Sequence, residues 1–104
     1  MHDQIDIRSK PTRRVDNARW RKVRGLDQLY RVEDGTSFTL NHVATLIWEL
    51  CDGTHSIAQI VRAISRTCGV HSPDTSVIAT DTIDMLRRLA HEGLIEVKAG
   101  ARST

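Results

Sequence analysis

Two cysteines in 104 residues are too few for a disulfide framework. Cys51 and Cys68 each lie within or at the end of an apolar helical pattern. They read as two buried free thiols in a reducing compartment. No run approaches the roughly 18 apolar residues of a membrane helix. The N-terminal MHDQIDIRSKP carries acids and lacks the apolar stretch of a secretory signal, so a cytoplasmic protein is expected. Gly-rich phosphate loops, nucleophile motifs and supported acid pairs are all missing, so the chain is not expected to be an enzyme. Cys51 and His55 stand four apart and Cys68 and His71 three apart, a spacing that suits zinc. However, Asp52-Gly53 breaks the helix between the first pair, and both cysteines fall on apolar stripes. No metal and no cofactor is therefore expected. The remaining histidines (His2, His42, His91) are scattered, mostly near helix ends, where capping or cationic roles are ordinary.

What the chain does have is a mixture suited to one domain with a modest core: 39% hydrophobic and 27% charged residues. A net charge of +2 conceals an asymmetry, because nine of the 15 Lys and Arg residues fall between Arg8 and Arg31, opposed there only by Asp16 and Asp27. From Asn41 to Ile95 acids slightly outnumber bases. A basic front end implies an acidic partner.

Residues 1–12 have few apolar groups and read as a flexible arm. From Ala18 the composition shifts to aromatic and β-branched residues among charges. Two strands are predicted at about 18–24 and 27–33, then a turn at Glu33-Asp34-Gly35-Thr36 and a third strand at about 37–40. Trp20 and Tyr30 fit either an inner core face or an exposed docking surface, with one of the two expected in the core.

Asn41 is a good helix N-cap. Val43, Ala44, Leu46, Ile47, Leu50 and Cys51 then recur at three- and four-residue steps, giving an amphipathic helix that ends at Asp52-Gly53. Ser56 caps a second helix with an Ile57, Ile60, Val61, Ile64 stripe, stopped at Gly69. A third helix runs from about Asp74 to Glu92, with Val77 and Ile78, then Thr82 or Ile83, Met85, Leu86 and Leu89 on its buried stripe. After Gly93, Leu94, Ile95 and Val97 form a short extended piece, and residues 98–104 form a flexible polar tail. The fold class is α+β: a three-stranded antiparallel sheet followed by three helices (β-β-β-α-α-α), a winged-helix-like arrangement.

Three stretches share order and spacing with a known family: EDGTSFTLN (33–41), LCDGTHSIAQIV (50–61) and TDTIDMLRRLAHEGLI (80–95). Through them the chain resembles PqqD and, more broadly, the RiPP recognition elements, over about residues 10–97, with the domain proper at 13–97. Thr82 departs from the usual Val and Met85 from the frequent Phe. The resemblance implies a non-catalytic chaperone. Such proteins bind the leader of a ribosomally made precursor peptide and present it to a modifying enzyme, commonly a radical S-adenosylmethionine (radical SAM) enzyme. The leader is expected to add as a strand beside the third strand and to lie over the third helix.

A free sheet edge carries unpaired N–H and C=O groups that an extended peptide can satisfy. The expected edge is Ser37, Phe38, Thr39 and Leu40. The expected floor is Thr82, Ile83, Leu86, Arg87 and Ala90. Arg87 and Arg31 are expected to pair with acidic leader residues. Rival readings are a winged-helix nucleic-acid binder and an accessory subunit that stabilises a partner enzyme. The first is disfavoured because Asp74, Asp81 and Asp84 precede the only bases of the third helix, Arg87 and Arg88. A monomer or weak homodimer is expected, because an exposed strand edge can pair with a second copy.

Overall fold

The computed structural model describes residues 6–67 and 75–97. The order is β1 (Thr12–Arg13), β2 (Ala18–Val23), β3 (Leu26–Arg31), β4 (Ser37–Leu40), α1 (His42–Leu50), α2 (Ile57–Thr67), α3 (Thr75–His91) and β5 (Ile95–Glu96). The strands β2-β3-β4 form an antiparallel sheet that precedes three helices, as the sequence indicates. The strand expected at 27–33 is shorter here and shifted, Leu26–Arg31, because the hairpin turn falls at Arg24-Gly25. Val23 pairs with Leu26 across that turn, and both turn residues have positive φ (53° and 81°), the two-residue type that matches strand twist.

The β3–β4 turn closes as expected around Asp34-Gly35. Arg31 donates its backbone N–H to the Thr36 carbonyl at 2.8 Å, and Gly35 returns an N–H to the Arg31 carbonyl at 2.7 Å. Leu29, Leu40, Ala44, Ile47, Trp48, Ile57, Ile60, Ile64, Leu86, Leu89 and Leu94 fill the core between this sheet and the helices. Cys51 is fully buried within it, and burial pushes its thiol up to about 12, so it stays a protonated, unreactive core side chain. Cys68, His71 and the predicted start of the third helix at Asp74 lie outside the described residues.

The helix caps are built as their sequences dictate. Asn41 Oδ1 accepts the Ala44 N–H at 2.7 Å. At α2, Ser56 Oγ accepts the Gln59 N–H at 3.1 Å while Gln59 Oε1 accepts the Ser56 N–H at 2.8 Å, a reciprocal capping box. The two N–H groups still free in that first turn, those of Ile57 and Ala58, donate to the carbonyls of Ser9 and Ile7.

That last contact corrects one expectation. The arm does not run loose to residue 12. From Asp6 onward it is docked, with Ser9 and Pro11 buried, and it supplies the acceptors that the α2 N-terminus lacks. Beyond it, β1 pairs with β5 (Thr12 with Glu96, Arg13 with Ile95), a two-stranded sheet that joins the two ends of the domain. Arg13 also donates to the Trp48 and Glu49 carbonyls at 3.1 and 2.7 Å, capping the C-terminal end of α1. Gly53 makes the close approach possible: its φ is +83°, and a Cβ there would lie 3.1 Å from Thr12 Oγ1. No helix among the described residues is long and apolar enough to cross a membrane.

Candidate functional site: the β4 edge and the groove beside α3

β3 is the central strand, so β4 has one free edge. Which groups it presents follows from the hydrogen-bond parity. Arg31 N–H bonds toward the β4 side at Thr36, and Val32 N–H bonds to the Asn17 carbonyl on the β2 side. Hydrogen-bonded pairs alternate along an antiparallel ladder. In the register Leu29 to Phe38 and Asp27 to Leu40, the main-chain groups of Phe38 and Leu40 therefore turn to β3. Those of Ser37 and Thr39 turn outward. Side chains alternate the other way: Leu40 is buried and Phe38 half-buried toward the helices, while Ser37 and Thr39 are exposed.

Between this edge and α3 lies a groove of about 240 Å³. Its walls are Ser37 to Leu40 on one side and Met85, Arg88, Leu89 and Glu92 on the other, with Leu94 at the base. A second, more apolar hollow of about 330 Å³ adjoins it through Met85. Val43, Ala44, Ile47, Ile64, Ile78 and Thr82 line that hollow, with Asn41 and Asp81 at its polar margin. The two together form a channel that an extended chain leaving β4 toward the α1 N-terminus would follow.

Of the predicted site residues, Ser37, Phe38, Thr39 and Leu40 form β4 and line the groove. The predicted floor does not. Thr82 and Leu86 are core residues at 2% and 0% exposure, although Thr82 also touches the second hollow. Ile83, Arg87 and Ala90 are absent from both linings, because they sit on the far flank of the buried Thr82-Leu86-Leu89 row. The groove side of α3 is instead the neighbouring row Ile78, Asp81, Met85, Arg88 and Glu92, about 100° around the helix from Leu86 at Met85. Arg87 lies 3.8 Å from Asp84 on its own helix.

Arg31, expected to meet an acidic leader residue, makes contacts within its own chain. Its guanidinium meets Asp34 at 2.8 Å and Glu92 at 2.6 Å, donates to the Glu92 carbonyl at 3.0 Å and lies 5.7 Å over the Phe38 ring. Those hydrogen bonds, to Asp34 first and then Glu92, raise its pKa, and the same pair with Arg31 holds the Asp34 carboxyl well below the usual carboxylate range. Arg31 is thus occupied in tying the β3–β4 turn to the end of α3, and it braces Phe38 in the groove wall. Arg88, by contrast, is exposed in the lining and enters no ion pair with a described residue. Neither Trp20 nor Tyr30 is buried. Trp20 is 47% exposed on β2, and Tyr30 is half-buried on β3 under the Arg21 guanidinium at 5.1 Å. Among the described residues, no group of three or more His, Cys, Asp or Glu side chains is placed to hold a metal ion.

An open sheet edge, a capped helix behind it and a groove along a third helix define a binding module that receives an extended chain. Comparison with known proteins gives the family. The PqqD family, described as coenzyme PQQ synthesis protein D, matches residues 29–95, and the chain belongs to it. Among solved structures, the chain is similar to TbiB1 in complex with the TbiA(beta) leader peptide. The identity is 30% and the TM-score 0.62, over 85% of this chain and 95% of that one. No curated protein matches.

Proposed function

We propose that this protein is a non-catalytic chaperone that captures the leader of a ribosomally made precursor peptide by strand addition along β4. It then presents that precursor to a modifying enzyme, of which a radical SAM enzyme is the favoured kind. The observation that carries the reading is the pairing of outward main-chain groups at Ser37 and Thr39 with a groove lined by Met85 and Arg88. The structural neighbour bound to a leader peptide supports it.

Energetics assign the parts of the site different tasks. Ser37 and Thr39 offer two donors and two acceptors. Four such bonds at about 1 kcal/mol each give roughly 4 kcal/mol, equivalent to only about millimolar affinity. Association costs reduce that further. Main-chain pairing therefore orients the peptide, and the selection falls to side chains. Apolar leader residues would seat against Phe38 and Met85 and in the adjoining hollow, and acidic ones against Arg88. A nucleic-acid reading fares worse, because the exposed Asp81 and Asp84 on α3 oppose phosphate.

The test is a backbone NMR titration with the leader half of a small peptide encoded beside this gene. Shifts centred on Ser37 to Leu40, Met85 and Arg88, with an affinity of about micromolar or tighter, are expected. Binding that leaves those amides unmoved would overturn the assignment.

A further inference from the structure

The sheet has a second free edge, and its chemistry differs from that of β4. β2 pairs with β3 over all six of its residues, from Ala18 with Arg31 to Val23 with Leu26. The same parity that frees Ser37 and Thr39 turns the main-chain groups of Trp20 and Lys22 away from β3. No described residue bonds to the N–H of either. Trp20 stands half-exposed on this edge, its indole N–H donated to Asp27 at 3.1 Å. On the solvent face of the sheet, Arg19 and Arg21 flank it, and Arg24 follows in the turn.

These cations are unspent. Arg8, Arg14, Lys22 and Arg31 each face a carboxylate, whereas Arg19, Arg21 and Arg24 enter no ion pair with a described residue. Arg21 only stacks on Tyr30. Trp, Tyr and Arg are the side chains that most often anchor protein interfaces; here Arg19, Arg21 and the half-buried Tyr30 share the solvent face, and Trp20 projects from the other face at the same edge. Arg19 and Arg21 lie on one face two residues apart, about 6.6 Å along the strand. A strand added here meets that spacing when its own acids alternate. A second copy does not suit the edge, since antiparallel β2–β2 pairing would set Arg19, Arg21 and Lys22 against one another. A sugar–phosphate backbone offers acceptors for the strand's N–H groups but no donors for its C=O groups.

We propose that the β2 edge, with Arg19, Arg21 and Trp20, is a second docking site, for an extended segment of a partner protein carrying acidic residues at alternate positions. The site is independent of whatever β4 receives, and it lies on the opposite margin of the sheet, two strand spacings or about 10 Å away. Both edges are therefore open to occupation at once.

The probe is a soluble peptide of about eight residues alternating Glu and Thr, long enough to span β2 at roughly 3.3 Å per residue. It is compared with a peptide of the same composition in two blocks and with an oligothymidylate of equal charge. The alternating peptide is expected to shift the Trp20 and Lys22 amides and the Trp20 indole, and to bind about tenfold tighter than the block peptide. The variant Arg19→Gln/Arg21→Gln should lose that binding and keep its fold, since both side chains are exposed and neither forms an ion pair with a described residue. Equal binding of both acidic peptides would reduce the surface to diffuse charge and overturn the proposal. So would shifts at Ser37 and Thr39 instead, tighter binding of the oligothymidylate, or no shifts at all.

Discussion

Proline at the edge of β4 separates strand addition from every other way of using the groove. Thr39 is exposed, and its N–H turns away from β3, so Thr39→Pro removes no ladder bond from the domain. Leu40→Pro would be uninformative by comparison, because Leu40 is 5% exposed and its N–H bonds to β3, so the fold itself would suffer. In a complex, Thr39→Pro deletes one of four main-chain bonds, worth about 1 kcal/mol. It also strands a peptide carbonyl that has already left water, which raises the total cost to about 1–3 kcal/mol. The expected result is a leader affinity about 5- to 150-fold weaker, with little change in the thermal midpoint. Fluorescence anisotropy with labelled leader measures the first, and circular dichroism the second. Thr39→Val keeps the N–H and should bind within about twofold of the parent. A folded Thr39→Pro protein with unchanged affinity would refute strand addition at β4. An equal loss in Thr39→Val would show that the Thr39 side chain, and not its backbone, carries the contact.

Four further outcomes follow from the geometry. Arg88→Glu should weaken an acidic leader by about 3- to 10-fold at low salt and less at high salt, while Arg87→Glu, outside the groove, should not; isothermal titration at two ionic strengths distinguishes them. Arg31→Met should lower the melting temperature more than Arg8→Met, because the Arg31 side chain is 16% exposed against 77% for Arg8 and braces two elements instead of one turn. Gly53→Ala should cost about 1–2 kcal/mol and lower the melting temperature by roughly 4–15 °C, since Gly53 has a left-handed φ and Thr12 crowds the new Cβ. Asp34 and Asp52 are both held well below the ordinary carboxylate value of 3.8, Asp34 chiefly by Arg31 and Asp52 chiefly by Thr54. Their contribution is therefore present above pH 3.8 and declines as pH falls through it toward the native values, because the unfolded chain then binds more protons. Urea melts of Asp34→Asn/Asp52→Asn should show a flatter acid limb than the parent.

The parts of this fold that were legible in the sequence are those decided within a few residues. Asn41 and Ser56 cap the helices they precede and Asp34-Gly35 turns the chain, each through contacts its own segment supplies. What was not legible depends on residues far apart. The β1–β5 pair joins Thr12 to Glu96, and the acceptors for the first N–H groups of α2 come from Ile7 and Ser9. A polar arm rich in charge looks loose when read alone. Its backbone carbonyls, which composition does not weigh, are what dock it.

The α3 residues that line the groove differ from the expected floor for a more specific reason. α3 carries two overlapping apolar rows, Ile78-Met85-Leu89 and Ile83-Leu86-Ala90, and periodicity alone does not say which flank meets the sheet. Leu86 and Leu89 are both buried, so the core lies between the rows and leaves the choice open. A polar contact accords with the flank observed. Glu92, in the turn that follows α3, reaches Arg31 at the end of β3 at 2.6 Å. Residues one and two turns before Glu92 on the same flank are Arg88 and Met85, and these are brought beside β4. The ion pair thus helps fix which α3 side chains line the groove, and Glu92 is itself one of them. On that argument Glu92→Gln, which keeps the shape and weakens the charge, should loosen leader binding through Met85 and Arg88 while leaving the β4 edge intact.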